Sequence, residues 1–160
     1  MHHRIALARR HGLRSYGAHR LTSLQLAGLL HEVGRLITSD DAAHPIAGAR
    51  FIESVGLHDA ACLIANLGID PLGTPDRPVA GSAVDADLWR HVDRDLLSIL
   101  SYVEITTDPE GATISVAERR TALVARHGAA SAELARFERC VGEAHEGQRL
   151  LTSGRLHHAS

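Results

Sequence analysis

The chain has 160 residues, 44% of them hydrophobic, and a formal net charge of −2: enough for one domain around one core, and too apolar for disorder. The near-zero charge argues against a general nucleic-acid binder, leaving only a local basic cluster at Arg9, Arg10, Arg14 and Arg20. No run approaches the roughly 18 apolar residues of a membrane span, and Met1-His2-His3-Arg4 does not begin a secretory signal, so a cytoplasmic protein is expected.

Aromatic residues make up only 3%, so the core must come from Leu, Ile, Val and Ala, a mix suited to closely packed helices. Ile5 to Leu13 reads as a short basic helix and Ser15 to Arg20 as a connector. Thr22 and Ser23 are N-cap candidates for a long helix, because Leu24, Leu26, Ala27, Leu29, Leu30, Val33, Leu36 and Ile37 recur at helical spacing. That helix should stop at Thr38-Ser39-Asp40-Asp41. His44-Pro45 opens the next, where a proline's missing N–H costs nothing; Ile46, Ala49, Phe51, Ile52 and Val55 form its apolar stripe, and Gly56 its C-cap.

Leu57 to Leu67 reads as a further helix ending at Gly68, and the proline-rich stretch Ile69 to Gly81 as a loop bordering a site. Ala86 to Thr107 has the periodicity of a second long helix, and Asp108-Pro109-Glu110-Gly111 is a turn. Ser115 with Glu118 makes a capping box for a helix ending at His127-Gly128. Ala130 to Leu151 is a charged final helix. No period-2 strand occurs, so the expected fold is all-α, a bundle of six to seven helices. The predicted division is a helical domain over 1–128, a C-terminal helix packed on it over 129–152, and a flexible tail over 153–160. Cys62 and Cys140 have no CxxC neighbour and read as thiols in a reducing compartment.

Three features bear on chemistry. His31-Glu32 sits late in an apolar helix, His44 follows at a helix N-terminus, and Glu104 lies among apolar neighbours, where a carboxylate needs a cation or donor. Each alone has an ordinary explanation. His31-Glu32 fits a polar rim, His44 an N-cap, and Glu104 a carboxylate paired with Arg119 or Arg120 or left at a helix edge.

Taken in order, these segments resemble the HD superfamily of metal-dependent phosphohydrolases. Leu30-His31-Glu32-Val33-Gly34 resembles its His-Asp-Ile-Gly segment, and His44-Pro45-Ile46-Ala47-Gly48-Ala49-Arg50 its His-Pro-x-x-Gly-Ala-Arg segment. Leu63-Ile64-Ala65-Asn66-Leu67 matches a stretch that often carries histidine, and Tyr102 to Thr107 the segment of the last Asp. Ser115 to Gly128 is similar to the following helix of small actinobacterial-type HD proteins. The resemblance spans Ile5 to Gly128 and implies a divalent metal (Mn, Fe, Ni, Zn or Mg) held by His31, Glu32, His44 and Glu104. It also implies Glu32 in catalysis, Asn66, Arg35 and Arg50 near the ligand, and a small phosphorylated molecule as partner. A homo-oligomer is compatible with it.

The chain departs from the pattern where Glu32 and Glu104 replace Asp, Asn66 replaces His, and the first family histidine has no firm counterpart beyond His2 or His3. Each Asp-to-Glu change moves a carboxylate by about an ångström against a metal–ligand tolerance of about 0.2 Å. Asn66 offers only a weak amide oxygen. Two imidazoles and two carboxylates still suit a cation, so the expectation is metal binding with weak or lost hydrolysis, or a site that has lost its metal. Two alternatives are a non-catalytic relative that binds a ligand or partner, and a helix-turn-helix regulator using Thr22 to Ala27 and Pro45 to Val55. The latter suffers from having one cation, Arg50, on its recognition helix.

Overall fold

The apolar residues recur at helical spacing because each helix has one or more faces to hide, and the computed structural model packs those faces together. It describes residues 17–39, 43–67, 92–108 and 110–153. These form α1 (Ala18–Leu30), a 3-10 turn (Val33–Leu36), α2 (His44–Ser54), α3 (His58–Asn66), α4 (Arg94–Ile105), α5 (Val116–His127) and α6 (Ala132–Ser153). The fold is all-α; among the described residues the only β feature is an isolated bridge between Thr107 and Thr113.

α3 is the hub. Every residue from Ala60 to Asn66 is buried, as expected of a short helix apolar on all sides. α1 and α2 pack on α3, α6 lies along α4, and α5 leans on α6. The main core joins Leu24, Ile52, Leu63, Ile64, Leu97, Ile99 and Leu100, each at most 1% exposed. Burying one such side chain contributes about 1.5–3 kcal/mol. A smaller cluster of Ile105, Leu134, Phe137 and Ala144 lies further along α4 and α6.

Several expectations need correction. Thr22 and Ser23 are not caps but interior residues of α1. Their hydroxyls donate back to the Ala18 and His19 carbonyls, and the helix starts at Ala18, within the expected connector. The long apolar run does not stay one helix to Ile37. α1 ends at Leu30 and the chain tightens into the 3-10 turn, leaving Leu36 88% and Ile37 51% exposed. On α2, Phe51 and Val55 point to solvent while Pro45, Gly48, Ala49 and Ile52 are buried. α2 therefore does not stand clear as a recognition helix.

α4 starts at Arg94, not Ala86 (residues 86–91 lie outside those described), because Asp93 caps it by accepting the Leu96 N–H at 3.2 Å. The same carboxylate accepts from Arg20 Nε on α1 at 2.6 Å. α6 begins at Ala132 and runs to Ser153, starting and ending two residues later than expected. The expected helix over 5–13, the loop over 69–81, His2, His3 and the tail from 154 lie outside the described residues.

Other signals hold. The Ser115–Glu118 capping box closes in both directions, and Gly56 and Gly128 follow α2 and α5 with φ of 81° and 89°. Cys62 and Cys140 are both buried, and neither is in a disulfide. Among the described residues no helix is long and apolar enough to cross a membrane.

One close approach fixes the neighbourhood of the site. Gly34 of the 3-10 turn lies directly against the first turn of α2, where a Cβ on Gly34 would fall 1.8 Å from the His44 carbonyl oxygen. From the other side, a Cβ on Gly48 would meet the Gly34 nitrogen at 3.0 Å. Two facing glycines let the two backbones touch.

Candidate metal-binding pocket

The site begins where α1 stops. His31 is the C-cap of α1, its N–H bonded to the Ala27 carbonyl, and Glu32 leads into the 3-10 turn. Ending the helix there lets two adjacent residues, which would diverge on a straight helix, turn toward one point. The third member comes from α4, where Glu104 stands between buried Val103 and Ile105. One ligand atom from each of His31, Glu32 and Glu104 lies within 4.8 Å of the others.

His31 Nε2 lies 3.2 Å from Glu104 Oε2 and 3.5 Å from Glu32 Oε1. Its Nδ1 faces the Gly28 carbonyl at 3.1 Å. A carbonyl only accepts, so Nδ1 carries the proton there and Nε2 is the atom presented to the carboxylates. Burial works to lower the His31 pKa. The Glu104 hydrogen bond and charge, the Glu32 charge and the Gly28 carbonyl outweigh it and raise the pKa above its ordinary 6.5.

The donor set fits a divalent cation of the borderline kind: one imidazole oriented by its backbone partner and two carboxylates, one from the turn after α1 and one from α4. Glu32 is also held by the guanidinium of Arg35, three residues on, which neutralises part of its charge.

The pocket around this cluster takes in about 890 Å³ up to and including its open mouth. Its lining settles the other predicted residues. His44 is buried at 5% exposure and lines the pocket, but stands outside the three-residue cluster. Arg35 lines it as well. Asn66 is buried but does not line it; its amide donates to the Cys62 carbonyl at 2.8 Å, back along α3. Arg50 is exposed and away from the pocket. The structure thus brings together His31, Glu32 and Glu104, with His44 and Arg35 beside them, and leaves Asn66 and Arg50 apart.

The part of the lining supplied by α5 and α6 was not anticipated from sequence. It comprises Arg119 and Leu123 on α5, and Glu133, Phe137 and Cys140 on α6. A signal was present: these sets recur at i, i+4 and at i, i+4, i+7, one face of each helix. Arg119, expected as a partner for Glu104, shares the pocket with it but forms no ion pair with it. Ser101, 2% exposed, also lines the pocket; its hydroxyl makes no regular hydrogen bond, yet it is close enough to the Glu143 carboxyl to favour that group's charged form.

No protein-family model matches the chain, and no curated protein or solved structure matches it significantly.

Proposed function

We propose that this chain is an HD-like metal-binding protein whose pocket takes a divalent cation on His31, Glu32 and Glu104 and a phosphate ester beside it, with hydrolysis weak or lost. The observation that carries this reading is the convergence of His31, Glu32 and Glu104, one of them 72 or 73 residues from the others in sequence, on a common point within 4.8 Å. A cation bound there would supply a bound water of lowered pKa and positive charge against the phosphate.

The protein's own part is positioning. The Gly28 carbonyl fixes the His31 ring, Arg35 steadies Glu32, and the Gly34–Gly48 contact holds the turn against α2 beside His44. Three protein donors leave coordination positions for solvent or substrate, the usual arrangement of a reactive rather than a closed structural site.

A second reading, a relative that binds without turnover, is favoured by Asn66. Its side chain does not line the pocket, and its amide N–H donates back along α3 to the Cys62 carbonyl, so the position where the family pattern has a histidine adds no ligand to the three. Two buried cysteines outside any disulfide fit a reducing, cytoplasmic setting.

The test is metal content of the purified protein and titration with Mn, Fe, Ni and Zn, alongside hydrolysis of a generic phosphate ester. Binding with turnover that vanishes in His31→Ala supports the hydrolase. Binding without turnover supports the second reading. Absence of binding for all four metals rejects both.

A further inference from the structure

The wall that α5 and α6 give the same pocket has a chemistry of its own. Arg35 is committed to Glu32, and Arg120, next to Arg119, to Glu138 at 2.6 Å. Arg119 is half-buried on the pocket, and among the described residues no hydrogen bond or ion pair engages its guanidinium. A sheltered, uncommitted guanidinium is a fork of donors suited to carboxylate or phosphate oxygens. One turn further along α5 stands Leu123, and Phe137 lies across from it on α6, both on the same lining. A concave surface that sets a few polar groups in an apolar lining is how small organic ligands are held.

We propose that this wall makes the pocket a receptor for a singly phosphorylated molecule with an apolar body. The phosphate meets Arg119, and the hydrocarbon or aromatic part lies on Leu123 and Phe137. Glu133, exposed on the same wall, adds a carboxylate that repels a longer, multiply charged chain of phosphates. The cation proposed at His31, Glu32 and Glu104 would face the same phosphate from the other side, so the assignment rests on that reading for its choice of phosphate. It rests on Arg119 and Leu123 for its selectivity.

The experiment uses the full chain, with and without Mn, and measures binding of phenyl phosphate, methyl phosphate and inorganic phosphate by calorimetry. Phenyl phosphate is expected to bind about tenfold more tightly than methyl phosphate. Arg119→Gln should weaken both esters about tenfold or more while leaving Mn affinity unchanged. Leu123→Gln should remove the preference for the phenyl ester and leave methyl phosphate binding as it was. Arg119→Gln should melt as the parent does; Leu123, half-buried against the Phe137 cluster, should cost a little stability on change to Gln, and unchanged binding of methyl phosphate shows that this variant remains folded. Equal affinity for the two esters, or indifference to Arg119→Gln, overturns the proposal. If Mn fails to bind but phenyl phosphate still binds through Arg119, the metal reading falls and this assignment stands. If Mn binds and the esters are not distinguished, the reverse holds.

Discussion

Replacing Gly34 by alanine adds one methyl group and tests how the site is held. The new Cβ would lie 1.8 Å from the His44 carbonyl oxygen, 2.7 Å from its carbon and 2.9 Å from the Gly48 nitrogen. All three are backbone atoms, so no rotamer can move aside. The turn and α2 must separate by about 1.2 Å before the nearest contact reaches even 3.0 Å. Overpacking of this kind costs about 1–3 kcal/mol, sometimes more. For a chain of this size each kcal/mol is worth about 2–4 °C in melting temperature. Gly34→Ala should therefore melt several degrees below the parent, and by circular dichroism the loss should exceed that of Gly48→Ala, whose nearest contact is 3.0 Å. The same separation displaces Glu32 by more than the about 0.2 Å a metal–ligand distance tolerates, so Mn affinity should fall with it. A Gly34→Ala protein that melts with the parent would refute the reasoning, because the two backbones could not then be in contact.

The remaining predictions concern separate parts of the molecule. His31→Ala and Glu104→Gln should each abolish or strongly reduce Mn binding in a titration, whereas Arg50→Gln, exposed and off the pocket, should leave it unchanged. On α6, Gly142→Ala meets open space and should stabilise by about 0.5–1 kcal/mol through helix propensity. Gly147→Ala in the same helix drives its Cβ to 2.0 Å from the Ser98 carbonyl oxygen and should destabilise; equal shifts in the two melts would contradict the α4–α6 contact. Glu143 is half-buried, and burial raises its pKa above 4.5 despite Arg94 and Ser101 pulling the other way. The folded state then holds the proton more tightly than the unfolded one. Its stabilising contribution is complete below 4.5 and lost as pH rises through the folded pKa. Glu143→Gln should flatten that decline in melting temperature measured from pH about 4 to about 7, and a parallel profile would count against it.

The helices were legible wherever periodicity and punctuation agreed. Ser115 with Glu118, Gly56 and Gly128 mark boundaries because capping is local chemistry. Boundaries that depend on tertiary contact were not. Thr22 and Ser23 have the side chains of caps, yet α1 extends past them to Ala18. Leu36 and Ile37 continue an apolar period, but the chain leaves the helix so that Gly34 can reach α2. In the site, His31, Glu32 and Glu104 were found as polar groups in apolar surroundings, a contradiction visible in one dimension. Asn66 stands off the pocket lining, which the sequence does not reveal: α3 is buried all round, and position along the helix does not say which face meets the pocket. Arg119 was noticed, but for the wrong partner: a free guanidinium and a paired one are spelled the same way.

The two cross-links between α1 and α4 occur in step. Arg20 with Asp93 and His31 with Glu104 each join residues 73 apart, and the second pair follows the first by 11 residues on both strands of the chain. The two helices thus run side by side in the same direction, pinned like a ruler at two marks about 16 Å apart. Sliding one along the other by a single residue would shift the far mark by about 1.5 Å. The near clasp is therefore a gauge for the distant one: Asp93, which never touches the pocket, sets how squarely the imidazole meets its carboxylate.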